Sequence, residues 1–404
     1  MMDCDRIKSG VLQNAVGRFL GGKQEEMITE IYTEEHNITF IMEEVDGTKT
    51  CKGCYIGEPN EEQTKNHYGS YALTNEKTTI KEYKCASFFA GVGGIDIGFE
   101  EAGFKTLYAN EVDPYPVKTF ELNMDLEVDE RSIEDVKSDE VPKECNVYLA
   151  GFPCTDISIA GYRQGLFNED GSLTRSGLYY ELLRLIKANK PQVVFLENVK
   201  NLVGHNNGET FRVIYDSLVD EGYHLKYQVL NAMEYGNVPQ NRERIYIVGF
   251  QDEEMCKRFE FPTPVPRTKQ LADIMDFENE LDEKYYYTPG KYKGNLYEKL
   301  NEAMDDPNTV YQWRRKYVRK NMSGVVPTLT ANQGCGGHNV CLIRTKHGIR
   351  KMTPHECFNA QGFPEDFKLP TDMAESRLYK QAGNSVCVSV ISRIAENIRK
   401  AIEG

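Results

Sequence analysis

Cys85-Ala86-Ser87-Phe88-Phe89 runs directly into Ala90-Gly91-Val92-Gly93-Gly94, and Ile95 to Ala102 follows. The first five residues have the apolar, β-favouring character of a buried strand. The glycines make a turn whose backbone is bare of side chains. Ile95 to Ala102 has helical spacing, with Gly103 placed as its C-cap. A second strand, Thr106 to Ala109, leads to Asn110-Glu111-Val112-Asp113, and Tyr115 to Asn123 predicts another helix. Strand, glycine turn, helix, then a strand ending in an acid about twenty residues beyond the glycines is the opening unit of a doubly wound α/β fold. Glu111 is then placed where a carboxylate accepts both hydroxyls of a ribose. The glycine pattern is not G-x-G-x-x-G, so a tight turn without a ligand stays open as a reading.

Further along, Val147-Tyr148-Leu149-Ala150 is a buried strand followed by Gly151-Phe152-Pro153-Cys154. A cysteine there sits at the carboxyl edge of the sheet, on a turn that Pro153 stiffens. It reads either as a nucleophile or as an inert buried thiol. Thr155 to Gly177 is too long for an ordinary connection and reads as a mobile lid or a surface excursion. Leu178 to Lys190 is a helix stopped by Pro191, and Gln192 to Leu196 a strand followed at once by Glu197-Asn198-Val199. In a parallel sheet Cys154 and Glu197 face one crevice. Phe211 to Glu221 predicts a helix, and Leu225 to Leu230 and Ile245 to Phe250 predict strands. If the last runs antiparallel, Arg242 and Arg244 at its start join the same edge and point to one face.

With 404 residues, 40% hydrophobic and 27% charged, the chain is expected to form two or three soluble domains. No apolar run reaches membrane-spanning length, so no membrane partner is expected. The 11 scattered cysteines suit reduced thiols in the cytoplasm better than a disulfide framework. A net charge of −14 speaks against a polyanionic partner unless basic residues are concentrated locally. They are: Trp313-Arg314-Arg315-Lys316-Tyr317-Val318-Arg319-Lys320 suits phosphate contacts with some base readout, or else a solvated basic face. It lies in a stretch, Gln251 to Met322, where the βα rhythm is lost and an irregular module is expected. Val325 to Thr330 reads as a strand, Gln333 to Gly337 as a glycine loop, and Leu378 to Ile398 as a closing helix. Residues 1–83 are acidic and turn-rich, with one hairpin between Ile28 and Glu44 and a loop or linker from Asn60 to Thr79. Cys51-Lys52-Gly53-Cys54 has metal-pair spacing, but no second pair follows and His67 is the only third ligand nearby; a plain turn is the alternative.

In order, the chain carries FAGVGG (89–94), NEVD (110–113), GFPC (151–154), ENV (197–199), QNRER (240–244), PTLTAN (327–332) and GNSV (383–386). This set resembles the bacterial cytosine-C5 DNA methyltransferases of restriction-modification systems, from about Lys84 onward. The resemblance implies a Rossmann-like, S-adenosylmethionine-dependent sheet, mostly parallel with an antiparallel strand, plus a smaller irregular DNA-recognition domain. Expected divisions are an extension (1–83), a catalytic domain (84–250), a recognition domain (251–348) and a returning segment (349–404). Cys154 becomes the nucleophile, Glu197 the acid that binds the flipped cytosine, and Arg242 and Arg244 the paired arginines. Phe89, Gly91, Gly93, Glu111, Ile133, Pro153, Asn384 and Ser385 become cofactor residues. Gln312, Arg314, Arg315, Lys316, Arg319 and Lys320 become DNA contacts, Gln312 and Arg314 or Arg315 reading bases or filling the vacated stack. The implied partner is double-stranded DNA, with no metal, no stable protein partner and a monomeric enzyme; whether a cognate endonuclease acts on the same site stays open. Val112 stands where the family often has an aromatic residue, and Ser132 where it often has an adenine-contacting acid, with Asp135 a substitute. A tRNA methyltransferase on the same scaffold and a non-catalytic DNA-binding regulator are the rival readings.

Overall fold

The computed structural model describes residues 16–21, 26–33, 38–45, 48–56, 83–153, 177–314, 316–333 and 340–404. The chain divides into two compact units, Met1–Lys81 and Glu82–Gly404. Cys154, the 155–176 stretch, His67, Arg315 and Gly334 to Gly337 lie outside the described residues, as does the expected linker from Asn60 to Thr79.

The first unit holds four strands, β1 (Val16–Gly21), β2 (Glu26–Thr33), β3 (Ile38–Val45) and β4 (Thr48–Ile56), antiparallel in chain order. The hairpin expected between Ile28 and Glu44 is β2–β3, paired from Glu26↔Val45 to Thr33↔Ile38. The rest corrects the sequence reading, which found no further strands because acids interrupt the apolar alternation. Cys51 and Cys54 lie within β4, not in a turn. The partners of Ile41 and Met42 are Gly53 and Cys51, so Lys52 is the extra residue of a β-bulge.

The second unit is built on a six-stranded sheet in the order β6-β5-β7-β8-β10-β9. Its strands are β5 (Tyr83–Phe88), β6 (Phe104–Asn110), β7 (Cys145–Ala150), β8 (Val193–Val199), β9 (His224–Asn231) and β10 (Glu243–Phe250). The first four are parallel, and β10 runs antiparallel between β8 and β9. Helices α1 (Gly94–Glu101), α2 (Pro114–Asn123), α3 (Gly177–Asn189) and α4 (Glu209–Asp220) follow the strands as the periodicity predicts. One sheet face packs Val147, Leu149, Val193 and Phe195 beneath α1 and the last helix. The other packs Tyr148, Val194 and Leu196 beneath α3 and α4. Among the described residues no helix is long and apolar enough to cross a membrane, and the six described cysteines outside β4 are free and buried.

The single closing helix expected from Leu378 to Ile398 is two helices, α6 (Glu375–Asn384) and α7 (Val388–Glu403). Extended backbone at Ser385 and Cys387 separates them. Helix α7 buries Val388, Ile391, Ile394, Ala395, Ile398 and Ile402, the stripe of a helix facing a core. Gly98 lets it approach α1, since a Cβ there would lie 2.6 Å from Ile391.

The module expected to be irregular has a sheet of its own. Strands β11 (Tyr286–Tyr287), β12 (Tyr311–Trp313), β13 (Val318–Lys320), β14 (Cys341–Thr345) and β15 (Gly348–Lys351) form an antiparallel sheet in the order β11-β15-β14-β12-β13. Its core joins Tyr287, Tyr311, Leu342 and Ile349 to Leu300 of α5 (Leu296–Ala303). Strands this short leave no legible alternation. Val325 to Thr330, expected as a strand, forms no strand and makes a single bridge, from Val326 to Gln240; Pro327 has no amide hydrogen to continue it.

Candidate active site

At the carboxyl end of β8 the strand outlasts its parallel neighbour. Pairing with β7 stops at Ala150↔Leu196, while pairing with β10 continues to Arg244↔Val199. Glu197 is therefore the first residue past the edge of β7, inside the strand and not after it as the sequence suggested. It faces a cavity of 920 Å³ that also takes in the ends of β5, β6 and β7 and the start of β10.

Glu197 is opposite Tyr246, so Arg244, two residues before Tyr246, is its diagonal neighbour on the same face. Arg244 Nε lies 3.1 Å from Glu197 Oε1. This is an ion pair without hydrogen-bond geometry: Oε1 is buried and has no hydrogen-bond donor. Burial raises the Glu197 carboxyl above the usual carboxylate range, against the opposing pull of Arg244 and Arg242. A buried carboxyl with a raised proton affinity suits a ligand that presents an acceptor nitrogen beside an N–H group.

Arg242 is placed differently from the sequence expectation. It is 2% exposed, and its guanidinium donates to Leu329 O at 3.0 Å, to Gly383 O at 3.2 Å and to Ser385 O. It braces the PTLTAN stretch against the α6–α7 break. Asn198, to which no role was assigned, donates from Nδ2 to Phe152 O at 2.8 Å. It holds the segment that leads to Cys154, and a buried amide beside Glu197 at the end of an apolar run was the signal available for it.

At the other end, Glu111 takes Gly91 N–H on Oε2 at 3.1 Å and Asp113 N–H on Oε1 at 2.9 Å. Burial, with the Asp113 charge, pushes its carboxyl upward. Phe89 and Gly91 have φ of 53° and 59°, and α1 opens from Gly93 without a side-chain cap. The turn and the uncapped start of α1 thus reach the cavity without a side-chain cap. Phe89, Gly91, Glu111, Pro153, Asn384 and Ser385 line it, and exposed Val112 does too. Gly93 and Ile133 do not: a Cβ at Gly93 would sit 3.0 Å from Phe120, and Ile133 belongs to the core beneath α3. Ser132 and Asp135 are likewise absent from the lining.

The wall facing Glu111 comes from the returning segment, joined to α2 by a series of polar contacts. Asn123 and Lys368 exchange hydrogen bonds of 2.8 and 2.6 Å. Lys118 pairs with Asp372, Thr119 donates to Gln381 at 2.9 Å, and Lys380 meets Asp113 at 2.9 Å. Arg377 lies 4.1 Å over the Tyr115 ring.

The expected DNA contacts form the hairpin β12–β13, in register Tyr311↔Lys320, Gln312↔Arg319 and Trp313↔Val318. Lys316 and Arg319 are exposed, Tyr317 is 61% exposed, and Arg314 is half-buried. Gln312 is buried, so it is not placed to fill a vacated base stack. Lys320 is tied to Asp305 at 3.0 Å and Asp306 at 3.3 Å. Among the described residues no cluster of three or more His, Cys, Asp or Glu could hold a metal ion.

A family model described as C-5 cytosine-specific DNA methylase matches residues 83–400. Type II methyltransferase M.Bsp6I from Bacillus sp. (strain RFL6) is 57% identical over 319 residues, covering 78% of this chain and 98% of its own. Type II methyltransferase M.HaeII from Haemophilus aegyptius is 36% identical over 316 residues, covering 78% and 92%. Among solved structures, Entamoeba histolytica methyltransferase EhMeth superposes with a TM-score of 0.61 at 18% identity, covering 80% of this chain and all (100%) of that one. At that identity the likeness speaks for the fold.

Proposed function

The chain belongs to the C-5 cytosine-specific DNA methylase family, and we propose that it acts on a cytosine flipped out of one short, specific duplex sequence, as the modification enzyme of a restriction system. Cytosine-C5 methylation dependent on S-adenosylmethionine follows from the family; the flipped base, the sequence specificity and the restriction context are our reading. The relatives named above as Type II methyltransferases support the last.

The observation that carries the proposal is the Glu197–Arg244 pair, set in the same cavity as Glu111 and the glycine turn. Cytosine offers an amino group and N3 on one edge and a carbonyl oxygen beside them. Glu197, in its protonated form, would donate to N3 and steady the charge that grows there, while its carboxyl accepts from the neighbouring amino group. Arg244 would hold the carbonyl oxygen. Both groups lie past the β7 edge, which a stacked base cannot reach, so the base must leave the helix. The thiolate of Cys154 would add to carbon 6, making carbon 5 electron-rich; once carbon 5 carries the methyl group, loss of its proton would expel the thiolate and restore the ring. Asn198 would fix the preceding turn through the Phe152 carbonyl. The residues at the far end fit the methyl donor: Glu111 for the ribose, the bare Gly91 turn and α1 N-terminus for the amino-acid end, and Asn384 and Ser385 closing the wall. When bound, S-adenosylmethionine supplies a methyl group already activated on a sulfonium.

The test is sequencing of methylated cytosines in DNA from cells expressing the wild type or Cys154→Ala. Methylation at one recurrent site with the wild type and none with the variant is expected. Methylation of tRNA and not of duplex DNA by the purified protein would overturn the reading, as would turnover by Cys154→Ala. Duplex carrying 5-fluorocytosine at the site should trap an adduct on Cys154, and an adduct mapped elsewhere would refute the nucleophile.

A further inference from the structure

Five described cations line the cavity: Lys200, Arg242, Arg244, Arg377 and Lys380. Four are committed. Arg242 is spent on three carbonyls, and Arg244 is paired with buried Glu197. Arg377 covers Tyr115 and Lys380 holds Asp113, both at the cofactor end. Lys200 differs in position and in partner. It follows Glu197 by three residues, at the mouth of the base end. Its Nζ lies 2.7 Å from Glu243 Oε1, and the two side chains are 51% and 42% exposed.

The ends of β8 and β10 thus carry two ion pairs of opposite sense. Inside, the acid comes from β8 and the base from β10, as Glu197–Arg244. At the mouth the base follows β8 and the acid opens β10, as Lys200–Glu243. The inner pair is desolvated and geometrically fixed. The outer pair is in water, where exchange of one anion for another costs little. A nucleotide whose base reaches Glu197 must lay its sugar and phosphate across this mouth. There Glu243 repels the phosphate and Lys200 attracts it.

We propose that Lys200–Glu243 is an exchange pair: Lys200 leaves Glu243 for a phosphate beside the target cytosine as the base enters, and Glu243 holds the lysine in place until then. Lys200 is accordingly a DNA-binding residue and Glu243 a brake on binding. The inference rests on the proposed action on duplex DNA.

The experiment measures binding of a duplex oligonucleotide carrying the mapped site, by fluorescence anisotropy across a salt series in the presence of S-adenosylhomocysteine. Lys200→Gln should weaken binding several-fold and lower the slope of log affinity against log salt by about one. Glu243→Gln should strengthen binding a few-fold, and that gain should vanish in the double variant, because no lysine remains to be released. Calorimetric affinity for S-adenosylhomocysteine should be unchanged in all three, which shows that the site is still folded. An unchanged salt slope for Lys200→Gln, or weaker binding by Glu243→Gln, would mean that the pair only ties two loops together, and the inference fails. Absence of salt-dependent duplex binding by the wild type would instead remove the function reading beneath it.

Discussion

Gly383 lies against the backbone of Thr330 with no room for a side chain between them: a Cβ on Gly383 would overlap the Thr330 carbonyl and the Ala331 nitrogen. Neither neighbour is a flexible side-chain end that can swing away. Arg242 locks the same junction by donating to Leu329 O and Gly383 O.

Gly383→Ala is therefore expected to cost about 3 kcal/mol or more, read as a fall in melting temperature of about 4 °C or more. Gly91→Ala makes the informative contrast. Its Cβ would meet nothing within 4 Å, but its φ is 59°, so the cost is backbone strain of about 1–2 kcal/mol. Because Gly91 lines the cavity, loss of S-adenosylhomocysteine affinity should exceed the loss of stability; equal losses would count against a cofactor role for the turn.

Glu111→Ala removes the acceptor shared by the Gly91 and Asp113 amides. Calorimetry should show cofactor affinity falling at least about tenfold, the loss of one or two charge-assisted hydrogen bonds, with duplex affinity within a factor of about two. Unchanged cofactor affinity would refute the assignment.

Arg244→Leu leaves the buried Glu197 carboxyl without its ion-pair partner. Methyl transfer should drop by about a hundredfold or more, the scale for losing one preorganised donor to a reacting base. Affinity for S-adenosylhomocysteine should hold, because Glu111 and the glycine turn are untouched. Parallel loss of both would point to general collapse of the cavity.

Asp96 gives a pH signature. Fully buried in α1, it accepts from Ser87 Oγ at 3.0 Å and Thr106 Oγ1 at 3.2 Å. Burial outweighs those hydrogen bonds and raises its carboxyl to about 7. The folded protein thus holds a proton that the unfolded chain releases near pH 4. Its contribution to stability is complete below that pH and is lost as pH climbs through about 7. Relative to wild type, Asp96→Asn should gain stability between pH 5 and pH 8, by on the order of 2–4 kcal/mol. Parallel melting-temperature profiles across that interval would show that Asp96 is not the group.

The parallel half of the sheet was legible because its strands are long, apolar and punctuated: glycine after β5, proline after β7, proline before β8. The convergence of Glu197 and Arg244 also followed from topology, once β10 was allowed to run antiparallel. Arg242 was misplaced because alternation gives the face of a residue but not the reach of its guanidinium, and three carbonyls lay within that reach. The module that carries β11 to β15 looked irregular because strands of two to five residues carry too little period. Ile133 belongs to a recognisable segment, yet the core beneath α3 claims its side chain. The N-terminal sheet was hidden by acids set among its apolar positions.

The junction between α2 and α6 also bears on how the protein is made. Lys380 meets Asp113 across 267 residues of sequence. At translation rates of about 5–20 residues per second, the glycine turn and Glu111 leave the ribosome tens of seconds before the residues that wall in the cavity. A nascent chain therefore lacks this wall of the cavity, however well its first sheet has formed. The time at which a cell gains a working molecule is set by synthesis of the returning segment.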